Sequence, residues 1–219
     1  MNKKETGSLA ANILLIVLGI VGTVFAFKIY DANLFRYYTV DSNLLCLVSS
    51  ICFVLFMIIK RSQQEIPYWV MILRLMATVC LAITFIVVVA YLAPIRIWKP
   101  EGTYLENLKI LLFQDDMLYQ HLLCPVVSFL SFIFLEGDRR LNKKKTIWWG
   151  MAPTLVYGVV MLILNVLYIE NGPYPFFRLN EAPFEYGMVM GMIILICYII
   201  TRFALVLNQK STPRRIKKK

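Results

Sequence analysis

Six apolar runs, Asn12 to Ala26, Leu44 to Ile59, Leu75 to Tyr91, Leu122 to Leu135, Trp148 to Tyr168 and Gly187 to Ile200, constrain this chain more than any other feature. With its polar-tolerant ends, each approaches the roughly 20 residues that carry a helix through hydrocarbon. The chain is 59% hydrophobic and only 16% charged, whereas an ordinary soluble domain holds about 25% charged residues. A helix satisfies all its own backbone hydrogen bonds, which is what a water-free bilayer core demands. The expected fold is therefore all-α, a polytopic membrane protein. A six-helix transmembrane bundle fills residues 1–219 as one domain, with spans near 9–30, 39–59, 68–92, 108–135, 147–169 and 187–206.

The start, MNKKETG before an apolar stretch, has the outline of a signal peptide. The stretch ends in FAFKIYDANLF, however, without a small-residue cleavage site, so a retained helix is expected. The net charge of +10 is unevenly placed. Basic residues gather at Lys3 and Lys4, Lys60 and Arg61, Arg139 to Lys145 and Arg202 to Lys219. The alternate connections hold only the scattered Lys28, Arg36, Arg96, Lys99, Lys109 and Arg178. Positively charged connections stay in the cytoplasm, which places both termini there and suits a bacterial cytoplasmic membrane. The terminal PRRIKKK reads as an anchor on anionic headgroups, not as a nucleic-acid arm. The five cysteines lie in apolar segments without a CxxC pair and are expected to pack as small hydrophobes.

Polar interruptions then stand out. QDDMLYQHLLCP, from Gln114 to Pro125, brings Asp115, Asp116 and the single histidine, His121, into the fourth span. Ionisable groups at such depth are costly and default to functional hypotheses. Gln114 and Met117 are spaced to share a helix face with His121, and Pro125 removes an amide that would return to the His121 carbonyl. Thr39, Asp41, Ser42 and Asn43 open the second span, where Thr39 or Asp41 is a natural helix cap. Arg74 lies about two turns into the third span, with snorkelling to headgroups and pairing inside the bundle both open. Asn165 is a deeper polar contact in the fifth span. Arg36 and Tyr174 lie in connections at the same end of the bundle as His121.

No metal-ligand constellation, phosphate loop or GxSxG elbow occurs, so no cofactor is expected. What remains is a hydroxyl activated by the histidine. Thr39 and His121 fall at comparable depth in alternating helices, so Thr39 is a candidate nucleophile and His121 its base. Asp41, Asp115 and Asp116 are candidates to orient the imidazole, and Asn43, Gln114 and Tyr119 to donate to an oxyanion. A helix cap at Thr39 and a packing histidine explain the same residues without chemistry.

FRYYTVDSNLL at 35 to 45, HLLCP at 121 to 125 and GPYPFF at 172 to 177 together resemble the androgen-induced-gene family of multipass membrane proteins, including its bacterial Pr6Pr-like branch. Animal relatives are threonine hydrolases that cleave fatty acid esters of hydroxy fatty acids inside the membrane. By motif position, the resemblance implies Thr39 and His121 as the catalytic pair. Where Pr6Pr-like members often carry an aspartate followed by a tryptophan near the end of the histidine helix, this chain has Phe134, Leu135 and Glu136. The expected function is lipid-ester hydrolysis, with membrane lipids and a fatty-acyl substrate as partners and no protein partner required. The alternative is a small transporter or ligand-binding membrane protein in which Arg74, His121 and acidic residues line a passage.

Overall fold

The computed structural model describes residues 3–59, 65–170, 172–181 and 183–211. The apolar runs form six helices long and apolar enough to cross a membrane. They are α1 (Lys3–Tyr30), α2 (Tyr38–Ile59), α3 (Tyr68–Val87, continued by a π turn Val88–Leu92), α5 (Asp115–Leu135), α6 (Lys144–Val166) and α7 (Pro183–Lys210), with a shorter α4 (Tyr104–Phe113) between α3 and α5. Lys60, Arg61 and the terminal PRRIKKK, on which part of the charge asymmetry rests, lie outside the described residues.

α3 is the central helix, packed against α2, α5, α6 and α7, while α1 closes the bundle against α2 and α5. Its sequence explains the position. Apolar or small residues such as Val70, Leu75, Ala77, Val79 and Leu81 are buried on every side, as a helix without a polar face requires. The outer helices turn apolar side chains outward instead. Ile13, Val17 and Ile20 on α1, Val156, Val159 and Ile163 on α6, and Leu195 and Ile199 on α7 are all exposed. An apolar surface this continuous belongs against lipid. Gly22 permits one close approach, because a Cβ there would stand 2.9 Å from the Tyr119 Cβ and force α1 away from α5. Gly187 and Gly191 face open space and bring no helix closer.

The fourth apolar run departs from the expected single helix over 108–135. α4 stops at Phe113, Gln114 takes an extended conformation (φ −91°, ψ 133°), and α5 restarts at Asp115 with φ +45°. Gln114 therefore does not share a helical face with His121. α5 is also not uniformly α-helical. It widens into π turns at Leu118–Leu123 and Ser131–Leu135. The first of these precedes Pro125 and lets the Cys124 amide reach back to the Tyr119 carbonyl, absorbing the proline's missing donor.

A second surprise is Glu136, which reads in sequence as the start of a soluble loop. It is buried at the far end of α5 and pairs with Arg74, whose Nε and Nη2 donate to its two carboxylate oxygens at 2.9 and 3.0 Å. Of the two roles open to Arg74, the structure shows the one inside the bundle. Asn12 Nδ2 and Ser131 Oγ also donate to Glu136, and Arg74 Nη1 reaches Ser50 Oγ at 3.2 Å. A buried charge needs this kind of matching.

Candidate active site

The broken helix sets up the site. In an unbroken helix the Leu111 carbonyl would accept from the amide of residue 115. The extended Gln114 and left-handed Asp115 turn the chain away, and His121 Nδ1 takes that place, 2.7 Å from Leu111 O. A carbonyl only accepts, so Nδ1 carries the proton, and in the neutral imidazole Nε2 is left as an acceptor. Nε2 lies 3.3 Å from Thr39 Oγ1, at the long edge of a hydrogen bond.

Thr39 is the second residue of α2, where a helix amide has no partner within its own helix. Its N–H donates to the Tyr174 hydroxyl at 3.4 Å, and the Tyr174 oxygen is 3.2 Å from Thr39 Oγ1. With Nε2 accepting from Thr39, the hydrogen between the two hydroxyls comes from Tyr174. Every proton in the chain is then assigned: Tyr174 donates to Thr39, Thr39 to His121, and His121 to Leu111. The Thr39 hydroxyl is thus engaged with His121 and Tyr174, not with the amides a cap would serve. Burial pushes the Tyr174 phenol up to about 12, so it remains a donor across the neutral range.

Tyr174 is held from below and behind. Gly172 has φ +75°, and a Cβ there would stand 2.4 Å from the Phe177 Cβ, so the turn admits only glycine. The Tyr174 ring stacks on Phe176 at 5.3 Å and meets Tyr37 edge-on at 6.2 Å. Asn165, fully buried on α6, accepts from the Leu179 amide, and the Asn180 side chain donates to the Asn165 carbonyl. Asn165 therefore secures the loop that carries Tyr174 instead of lining a pocket.

Two hollows meet at Thr39 and Tyr174. One, of about 200 Å³, is bounded by Tyr30, Tyr37, Trp98, Asp116, Gln120 and His121. The other is an apolar crevice of about 40 Å³ between Tyr38, Val87, Tyr157, Phe177 and Met190. Met117 joins His121 at the first cavity, as its spacing predicts.

The remaining sequence candidates scatter. Asn43 Nδ2 donates to the Thr39 and Gln120 carbonyls, tying α2 to α5, and Asn43 lines neither hollow. Asp41 is half-buried and Asp115 exposed, and neither lines the larger cavity. Asp116 does line it, but its partner is Gln120 Nε2 at 3.3 Å. Gln114 borders an outer hollow that shares Tyr30, Trp98, Asp116 and Met117 with the larger cavity but does not itself line that cavity, and Tyr119 stacks against Phe25 on the flank of α1. Arg36 forms an ion pair with Glu170 at the rim, and Arg74 belongs to the opposite end of the bundle. Sequence reasoning missed the Leu111 carbonyl, which has no side-chain signature, and the cavity roles of Tyr30, Trp98 and Gln120. Among the described residues no group of three or more His, Cys, Asp or Glu is placed to hold a metal.

Compared with known proteins, the chain matches no family model, no curated protein and no solved structure.

Proposed function

We propose that this protein is an intramembrane threonine hydrolase acting on a lipid ester. The observation that carries this reading is the 3.3 Å approach of Thr39 Oγ1 to His121 Nε2, with the other ring nitrogen fixed on the Leu111 carbonyl. Nucleophile, base and orienting group are thereby in line, the arrangement that nucleophilic catalysis requires. The resemblance of the threonine and histidine motifs to the androgen-induced-gene family adds to it.

Thr39 Oγ1 attacks the acyl carbon as its proton passes to His121 Nε2. The imidazolium is stabilised by the Leu111 carbonyl dipole and returns that proton to the departing alkoxide. An acyl-threonine and a free alcohol result. Water then attacks the acyl carbon, giving its proton to the same nitrogen, and collapse of the second tetrahedral species restores Thr39 and releases the acid. The Tyr174 hydroxyl and the Thr39 amide are the donors adjacent to the attacking oxygen, and both suit the developing oxyanion. The α2 N-terminus adds a favourable dipole for negative charge.

The full chain in detergent, treated with a long-chain fluorophosphonate, is expected to be labelled at Thr39, with label lost in Thr39→Ala and His121→Ala. Equal lipid-ester turnover by wild type and both folded variants overturns the reading. A transport role draws less support, because Arg74 is enclosed and borders neither cavity at the Thr39 end.

A further inference from the structure

Thr39 and Tyr174 border both hollows, but His121 borders only the larger one. That asymmetry orients an ester. The proton on His121 Nε2 has to reach the departing alkoxide, so the alcohol half lies on the His121 side, in the larger cavity. The acyl half, which stays bonded to Thr39, is then directed to the other side, into the crevice.

The crevice suits a hydrocarbon chain. Ile83, Val88, Phe176 and Phe177 are buried in its wall. The hydroxyls on that wall are already engaged: Tyr38 and Thr154 with each other at 2.7 Å, Thr84 on the Cys80 carbonyl at 3.1 Å and Tyr157 on the Arg36 carbonyl at 2.7 Å. A volume of about 40 Å³ holds on the order of three water-sized groups, at roughly 10–15 Å³ each. A longer chain has to leave.

The way out lies between α6 and α7, at Gly158 and Met190. Both line the crevice and both are partly exposed, unlike Ile83, Val88 and Phe177. One turn along the same helix faces, Leu162 on α6 and Ile194 on α7 are exposed, so this seam faces lipid. Beyond its own helix backbone, a Cβ at Gly158 would meet a single atom among the described residues, Met190 Cε at 3.6 Å. Methionine is unbranched and turns about three bonds, so the closure is one that a chain can push aside.

We infer that the crevice is the acyl subsite, and that a long acyl chain passes from it into the bilayer between α6 and α7, with Gly158 and Met190 setting the chain length accepted. The inference rests on the hydrolytic reading for the placement of the ester at Thr39. The substrate class is then an ester of a long, unbranched fatty acid.

Two measurements on the full chain in detergent test this. The first is turnover of 4-methylumbelliferyl dodecanoate and butanoate. Gly158→Leu, and Met190→Trp from the opposite helix, are each expected to lower the dodecanoate-to-butanoate ratio of kcat/KM by about tenfold or more. An unchanged ratio in variants that still cleave butanoate overturns the inference. The second needs no turnover: methyl dodecanoate with a photoreactive diazirine at its fourth carbon is irradiated with Thr39→Ala, and the crosslinks are mapped by mass spectrometry. Crosslinks are expected on Ile83, Val88 or Phe177, which lipid outside the bundle does not touch, and are expected to be lost when Gly158→Leu is added. Their absence from Thr39→Ala overturns the inference. Crosslinks there, with neither ester cleaved by wild type, sink the hydrolytic reading alone. Thr39-dependent cleavage with no such crosslink and no change in the ratio sinks the acyl subsite alone.

Discussion

His121 is oriented by the Leu111 main-chain carbonyl, ten residues earlier, across a break between two helices. The carbonyl is free because Asp115 sits at φ +45°, where a branched side chain clashes with its own backbone. Asp115→Gly is expected to retain both stability and ester turnover. Asp115→Val is expected to cost about 1–2 kcal/mol and to lower turnover by displacing the imidazole. Thermal unfolding in detergent and turnover measured on the same samples check the pair.

If Thr39 and His121 act as one unit, their losses do not add. Thr39→Ala and His121→Ala are each expected to reduce kcat by about 10²–10⁴-fold, and the double variant by no more than the worse single one. Thr39→Ser keeps an oxygen in reach of Nε2 and is expected to retain part of the rate. Multiplicative losses in the double variant would mean that the two residues serve separate roles.

Tyr174 links Thr39 to the loop that follows α6. Tyr174→Phe removes the hydroxyl but not the ring packing on Phe176. The expected loss is about 10²-fold in kcat, with KM little changed. The phenol also has a pH signature. Its folded value is raised from 10.0 to about 12 by burial, so the folded state holds the proton more tightly than the unfolded state. The associated stability is intact below pH 10 and is lost as pH rises toward 12. Alkaline melting curves of wild type and Tyr174→Phe are therefore expected to run parallel up to about pH 10 and to differ in slope above it.

The apolar runs made the six helices legible, because each is long, continuous and nearly free of charge. The approach of Thr39 to His121 was reachable from depth in alternating helices together with motif position. What holds the histidine was not, since a carbonyl leaves no mark in a sequence and three nearby aspartates compete for the role. The break at Gln114 was hidden for a related reason: QDD interrupts apolar periodicity without glycine or proline. Glu136 was obscured by its neighbours, GDRRLNKKK, whose composition signals a solvated loop. Only the partner 62 residues away, Arg74, explains why that carboxylate is inside.

The Arg74–Glu136 pair makes the last prediction sharp, because removing one partner and removing both have different consequences. Both side chains are 0% exposed, so Glu136→Ala leaves an enclosed guanidinium whose remaining hydrogen-bond partners among the described residues are Ser49, Ser50 and Cys46. Breaking such a pair costs about 3–5 kcal/mol, much of it the burden of the uncompensated charge. Replacing both, with Arg74→Met and Glu136→Leu, removes the charges together. Asn12 still donates to the Ser8 carbonyl, so few donors are stranded. The double variant is expected to regain most of the stability lost in Glu136→Ala, as read by denaturant or thermal unfolding in detergent. Ester turnover is expected to follow folding, since the pair stands at the opposite end of the bundle from Thr39. A folded double variant with wild-type stability but no turnover would show that the two ends are energetically coupled through α3 and α5.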